Sequence, residues 1–471
     1  MRMYFMSIGG TGMGNAAMLM RQLGHEVLGA DQALYPPMSD ALAAAGIEPL
    51  EGYNAERLAK LAPDLVVVGN VNTRGNPEVE WLLENRQVRM TSLPALLHEF
   101  LLRERRNLVV CGTHGKTTTS TLCAHLLERA AMEPGFFIGG VPAGRTGGVA
   151  GGVAGGPFVI EGDEYDSAFF DKRSKFIHYA PNILLLNNLE FDHADIFRDV
   201  ADIQRTFQHV TRIVPGSGAI VANGDDPQLA PLLKIAWTSV WRVGVGEHND
   251  LRIADFHENA EGSRFTLLWQ DRVWAHVEWS QWGVFNARNA AMAALGAALV
   301  ADPTGDPTAF PLQSLSQFGG VRRRQEVLFD DGQLAVISDF GHHPTAIAGT
   351  LRSLRARFPG RRLAACFEAR SNTACRRFHE DAFADALGTA DRVHLGEVFR
   401  AERYADDDRI NLARMASRIG EGATAHGTNA ALIEAVRGEI GASSGPTLYC
   451  FFSNGSFDGA ISEAVRTASR A

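Results

Sequence analysis

Between an apolar run at 108–111 and a helix-forming stretch that begins at Lys116 stands Gly112-Thr113-His114-Gly115-Lys116-Thr117-Thr118. A strand that breaks into a glycine turn and reopens as a helix aims several backbone N–H groups at one point, and the helix N-terminus adds partial positive charge. Phosphate oxygens fit such a point; a lysine there neutralises the β and γ groups, and the Thr117 hydroxyl can reach a magnesium ion. The loop departs from the generic G-x-x-x-x-G-K-[ST] pattern, because Val110 stands where that pattern has its first glycine. Strand and helix must pack on each other to hold the loop, which makes the fold class α/β.

The same rhythm recurs along the chain. An apolar run at 4–8 meets Gly9-Gly10-Thr11-Gly12-Met13-Gly14 and then a helical stretch at 16–23; strands at 27–30 and 65–68 end at Asp31 and at Gly69-Asn70. Thr11 takes the place of the second glycine in G-x-G-x-x-G, so this turn suits a diphosphate without implying NAD. Strands at 158–160, 183–186 and 219–222, then at 334–338, 363–367, 392–395 and 448–452, alternate with helical stretches, the pattern of parallel sheets. The 471 residues correspond to about three domains. The expectation is three tandem α/β domains with mainly parallel sheets at 1–105, 106–319 and 320–471, the first and third Rossmann-like, the central one like a P-loop ATPase. Of the 48 glycines, six lie in the two turns; the stretch 139–156, rich in Gly, Ala and Val, reads as a flexible surface loop.

A net charge of -9 provides no basic surface for nucleic acid or an anionic membrane. No apolar run reaches the length of a membrane span, the N-terminus lacks a leader pattern, and the five cysteines lack C-x-x-C spacing. A cytoplasmic enzyme with reduced thiols and with neither nucleic-acid nor membrane partners is expected.

Carboxylates gather after two strands: Asp163, Glu164 and Asp166 after 158–160, and Glu190, Asp192, His193 and Asp195 after 183–186. Magnesium takes few protein ligands, so Glu164 and His193 can join Thr117 around it. In the helix at 286–300, Asn286 and Asn289 share a face, with Arg288 beside them, and suit an adenine or ribose edge. The run Arg322-Arg323-Arg324 precedes a strand, from which at least one arginine can swing onto a γ-phosphate. Asp339-Phe340-Gly341-His342-His343-Pro344 closes a strand and opens a helix, at the sheet end where ligands bind.

The ordered motifs I-G-G-T-G-M-G, G-T-H-G-K-T-T-T, E-G-D-E-Y-D, N-N-L-E-F-D-H-A-D-I-F, N-x-x-N-A-A-M-A and D-F-G-H-H-P-T-A-I resemble those of the ATP-dependent Mur ligases over essentially the whole chain. G-N-V-N-T-R-G-N-P-E-V-E, F-F-I-G-G-V-P, D-S-A-F-F-D-K-R-S-K-F and E-A-R-S-N-T are most similar to the branch that takes a murein tripeptide. The resemblance implies joining of UDP-N-acetylmuramate to L-alanyl-γ-D-glutamyl-meso-diaminopimelate through an acyl phosphate, with ATP cleaved to ADP, in peptidoglycan recycling. The branch that takes L-alanine is the alternative. An NAD-linked nucleotide-sugar oxidoreductase, suggested by the first glycine turn, leaves the Lys116 loop unexplained.

The resemblance further implies ATP on Gly112, Thr113, His114, Gly115, Lys116, Thr117, Thr118, Asn286, Asn289, Arg323, Asp339 and His342, with Lys116, His193 and Arg323 assisting the chemistry. The UDP-sugar falls on Gly10, Thr11, Gly12, Asp31, Asn70 and Arg74, and Mg2+ on Thr117, Glu164 and His193. Arg370, with Ser371, Asn372 and Thr373, is placed to bind a tripeptide carboxylate through a bidentate fork. Two positions depart from the family pattern. No lysine occurs at 193–214, where relatives carry a carbamylated lysine, so the second metal site must differ; and Phe285 stands where many relatives have histidine. No motif bears on the oligomeric state.

Overall fold

The computed structural model describes residues 1–35, 38–442 and 445–470. Among the described residues three large sheets follow one another along the chain, and a two-stranded antiparallel ribbon, Asp166–Ala168 with Asp171–Ser174, accompanies the second. The first holds Leu50–Glu51, Glu26–Asp31, Arg2–Met6, Leu65–Val68 and Arg89–Ser92 in that spatial order, all parallel. Its two middle strands, Arg2–Met6 and Leu65–Val68, are apolar and buried on both faces, as a sheet covered by helices on each side requires. The strand order reverses beside Arg2–Met6, so the glycine turn that leads from it into helix Thr11–Gln22 opens at the crevice where such sheets take ligands.

The central sheet has ten strands. Its parallel middle, Ala219–Asn223, Ile183–Leu186, Arg106–Cys111 and Pro157–Glu161, brings the phosphate loop and both acidic clusters to one end. Helix Lys116–Arg129 packs against helix Val284–Ala301, whose alanine-rich surface is buried nearly all round. That helix is long and apolar enough to cross a membrane by composition, yet here it is a core element, which small side chains permit by letting backbones approach closely.

Two features differ from the expectations. An antiparallel meander, Leu251–Glu258, Ser263–Trp269 and Arg272–Trp279, extends one edge of the central sheet in a region where no strands were expected. The stretch 139–156 is not a free loop: Val149–Ala150 pairs with Gly135–Phe137, and Ile138 N–H donates to the Gly148 carbonyl at 2.8 Å. At Gly140 a Cβ atom would lie 2.5 Å from Thr117 Cγ2, so the glycine lets this backbone close over the phosphate loop.

The third sheet orders Glu326–Asp330, Leu334–Asp339, Thr447–Phe452, Arg362–Ala369, Arg392–Val398 and Ala423–Ala425, parallel except for the first strand. Beneath helix Asn429–Ala442 it buries an unexpected polar chain. His394 is fully buried, with Nε2 3.2 Å from Glu439 and Nδ1 3.0 Å from His426 Nε2, while Arg392 Nε donates to Glu439 at 2.9 Å. Burial pushes His394 down to about 4; Glu439 opposes this, and Arg392 and His426 add to it. Between that value and the unfolded value near 6.5, the unfolded chain binds a proton that the folded chain does not, so stability falls as pH drops through this window. Urea unfolding midpoints are therefore expected to drop between pH 7 and pH 5, and His394→Gln to narrow the drop. An unchanged difference would refute the assignment.

Candidate active site

The phosphate loop owes its shape to Gly115, which adopts φ 77° and lies so close to Asn289 that a Cβ atom would meet its Oδ1 at 2.5 Å. Any other residue here would be strained and would clash. The loop leads into helix Lys116–Arg129, whose N-terminus no side chain among the described residues caps, which leaves that end open to an anion. Lys116 folds back, its Nζ 2.6 Å from the Gly112 carbonyl and 3.0–3.1 Å from both oxygens of Glu164. Glu164 is almost fully buried and also bonds His193 Nε2 at 2.8 Å. His193 reaches it from a left-handed backbone, φ 56°, a conformation that is uncommon outside glycine and frequent at functional positions.

These charges hold one another in place. Burial alone would lower Lys116, but Glu164, Glu161 and Asp163 keep it above its ordinary value. Burial would raise Glu164, but Lys116 and His193 keep it below. Burial works against a charged His193 as well, and the bond and charge of Glu164 outweigh it. Thr117 Oγ1 donates to Glu161 at 3.0 Å. Two carboxylates, a hydroxyl and an imidazole thus converge beside the open helix end, a donor set that suits Mg2+ with phosphate oxygens.

A cleft of about 1310 Å³ joins this centre to the other two sheets: Thr11 of the first lines it, as do Arg322, Arg323, Arg324, Asp339, His342 and His343 of the third. Glu190 ties its walls together. It lies 3.4 Å from His114 Nε2 and 3.1 Å from His343 Nδ1, and accepts the Thr345 hydroxyl at 2.7 Å. Burial pushes Glu190 up, but His114, His343 and Thr345 hold it down to about 2, while burial drives His343 to about 3. Asp192 sits 3.6 Å from His342 in the same seam.

The residues singled out from sequence are placed unequally. Thr113, His114, Gly115, Lys116, Thr117, His193, Asn289, Arg323, Asp339 and His342 line the cleft; Gly112, at the start of the loop, and Thr118, in the first helical turn, do not. Asn286 stands behind Asn289, donating to the Trp282 carbonyl at 2.8 Å and accepting from Asn289 at 3.2 Å. Asp339 is occupied by the backbone N–H groups of Gln325 and Gly341, so it shapes its turn, and burial raises its carboxyl. In the first domain Asp31 accepts from the N–H of Gly9 at 2.9 Å and holds the glycine turn containing Gly10 and Gly12; Asn70 is exposed, and Arg74 is exposed and paired with Glu80. Ser371 accepts from Ala374 N–H, Asn372 from the Tyr404 hydroxyl and Thr373 from Ala194 N–H, while Arg370 donates to Glu368 at 3.2 Å, and none of the four lines the cleft.

Arg323 and Arg324 part company. The Arg323 guanidinium donates to the carbonyls of Ser453 and Gly455, whereas Arg324 points at Thr117 Oγ1, 3.4 Å away. Left-handed backbone at Arg323 and Gln325, φ 60° and 49°, turns the neighbouring side chains in different directions. Glu161, Glu190, Arg324 and His343 also line the cleft; the sequence places them inside motifs or clusters already recognised, but the resemblance assigned none of them a site role. Asp225, which pairs with Arg288 at 3.1 Å, is a cleft residue that the sequence reading did not name.

A phosphate loop set against paired carboxylates, and facing two further α/β domains across one cleft, defines an ATP-dependent ligase with three domains. The chain belongs to the Mur ligase family: models of its catalytic, middle and glutamate ligase domains match residues 2–105, 157–298 and 323–445. It is 44% identical over 400 residues, 84% of each chain, to the UDP-N-acetylmuramate–L-alanyl-γ-D-glutamyl-meso-2,6-diaminoheptandioate ligase of Escherichia coli, and 41% identical over 393 residues, 83% of this chain and 84% of the relative, to that of Haemophilus influenzae. The crystal structure of a murein peptide ligase from Psychrobacter arcticus matches 100% of this chain and 99% of its own, with a TM-score of 0.71 and 34% identity. A UDP-N-acetylmuramate–L-alanine ligase of Burkholderia ambifaria is 31% identical over 411 residues, 86% of this chain and 84% of the relative.

Proposed function

We propose that the protein joins the free tripeptide L-alanyl-γ-D-glutamyl-meso-diaminopimelate to the lactyl carboxylate of UDP-N-acetylmuramate, cleaving ATP to ADP and phosphate. The observation that carries the reading is the single cleft in which Thr11, the Lys116 loop and the Asp339–His343 turn face one another, so that three substrates can meet. In this reading the first domain holds the UDP-sugar near Gly10, Thr11, Gly12, Asp31, Asn70 and Arg74. The central domain holds ATP, and the third covers the nucleotide and presents the amine. It acts in the cytoplasm, where ATP and the nucleotide sugar are found.

The lactyl carboxylate takes the γ-phosphoryl group and becomes an acyl phosphate; the alanyl amine attacks its carbonyl carbon, and phosphate leaves. Both steps depend on positioning and on neutralising oxygens that gain charge. Lys116 and the open helix end face the transferring group, with Arg324 approaching from the third domain and Asn289 supporting the loop. Bound Mg2+, held by Thr117, Glu164 and His193, with Glu161 adjacent, would neutralise phosphoryl charge. The supporting observation is that these side chains already converge without any lysine at 193–214.

Phosphate release in the presence of UDP-N-acetylmuramate and ATP tests the assignment. Tripeptide is expected to support turnover and L-alanine to support little; selective turnover of L-alanine would assign the protein to the other branch.

A further inference from the structure

Strands Arg362–Ala369 and Arg392–Val398 lie side by side and parallel, so the residues that follow them meet at the same sheet end. Phe399 N–H donates to the Ala369 carbonyl at 2.9 Å, and Cys375 Sγ lies 3.2 Å from that carbonyl and 3.7 Å from the carbonyl of Phe399. The Tyr404 hydroxyl reaches Asn372, and Arg376 pairs with Asp408 at 2.7 Å. The two loops therefore form one floor. On it, two guanidinium groups lie over a single ring: Arg370 3.9 Å and Arg400 5.0 Å from the centroid of Phe399.

The two arginines differ in what neutralises them. Arg370 has Glu368, fully buried, at 3.2 Å. Arg400 is exposed, projects from a left-handed backbone of φ 51°, and among the described residues has no carboxylate partner. Thr373, three residues beyond Arg370, accepts from Ala194 N–H at 3.1 Å, which places this floor next to the loop that carries His193. A planar guanidinium steadied on an aromatic face is preorganised for a carboxylate.

We propose that Arg400, steadied with Arg370 on Phe399, binds a carboxylate of the amine substrate remote from its reacting nitrogen, and so selects a multiply carboxylated peptide over a free amino acid. The inference rests on the tripeptide reading above. In that peptide every free carboxylate lies beyond the alanyl residue whose amine reacts, on the glutamyl and diaminopimelyl units. In L-alanine the only carboxylate is one carbon from the amine and cannot occupy a separate floor.

Steady-state kinetics of the full chain with ATP and UDP-N-acetylmuramate test it. Arg400→Ala is expected to raise the tripeptide KM about 10- to 100-fold, the scale of a lost charged hydrogen bond, and to leave both other KM values within about twofold. Arg400→Lys should recover part of the loss, since it restores charge without the planar fork. Tripeptide amidated at its glutamyl and diaminopimelyl carboxylates should show the raised KM with the unaltered protein, and Arg400→Ala should raise it no further. An unchanged tripeptide KM in Arg400→Ala, with the unaltered protein active on tripeptide, overturns this inference alone. An unaltered protein that uses L-alanine and ignores tripeptide overturns the functional reading beneath it.

Discussion

Exchanging Lys116 for methionine is expected to lower kcat by about a thousand-fold or more at saturating substrates, with the UDP-sugar and tripeptide KM values nearly unchanged. The expectation follows from where the ammonium lies. Nζ is held by the Gly112 carbonyl and by both oxygens of Glu164, at the mouth of a helix whose own N–H groups are uncapped. In phosphoryl transfer the gain comes from charge placed against oxygens in the transition state, and a single such donor in a water-poor site contributes about 10²- to 10³-fold. Lys116 is additionally the counter-charge of a buried carboxylate, so its removal disturbs Glu164, the side chain proposed to hold Mg2+, as well. A loss confined to the ATP KM would instead make Lys116 a ground-state binder.

The same exchange has a structural consequence that can be measured separately. Removing one partner of a buried ion pair costs about 3–5 kcal/mol when the other is left uncompensated. Here Glu164 retains His193 at 2.8 Å, so the loss of stability should fall below that range. Thermal unfolding of Lys116→Met without substrates checks this, and a protein that remains folded yet inactive separates catalysis from folding.

What could be read from the residues was set by local geometry. Strands at 65–68 and 183–186 are buried on both faces, so their apolar runs mark them without reference to the rest of the fold. The loop at 112–118 was legible because glycine, lysine and threonine each have one physical task there. The meander Leu251–Trp279 was not legible in the same way: its strands bury one face irregularly, with register shifts at Ala254/His257 and Leu267/Leu268 that blur a two-residue period. Gly140 stands in the recognised F-F-I-G-G-V-P motif, but its task there was not legible, because that task is close approach to Thr117, 23 positions away in sequence. Glu190 was seen as one of a cluster, while its bonds to His343 and Thr345 depend on how the third domain meets the second. Tertiary contacts of this kind leave no period in the chain.

The arginine run shows the limit most sharply and yields the second large effect. All three consecutive arginines line the cleft, and composition cannot tell which of them turns toward Thr117; the backbone decides it, with left-handed φ at Arg323 and Gln325. Arg323 is engaged by the carbonyls of Ser453 and Gly455 and lies over Phe340 at 5.2 Å, whereas Arg324 lies over the same ring at 4.5 Å with its guanidinium toward Thr117. Among the described residues Arg324 forms no ion pair, and burial pulls its guanidinium below the ordinary value while Asp339 and Glu161 oppose. A cation held without a paired carboxylate at a phosphate loop is matched by an incoming phosphate group. Arg324→Ala is therefore expected to lower kcat by about 10²- to 10³-fold, the scale of a lost transition-state charge contact, and added guanidinium ion should restore part of it. Arg323→Ala should lower kcat by less than about tenfold and mainly lower the unfolding temperature, since it removes hydrogen bonds that secure the 453–455 turn. Steady-state phosphate release for both variants decides between them: a larger kcat loss in Arg323→Ala would return the phosphate-facing role to Arg323.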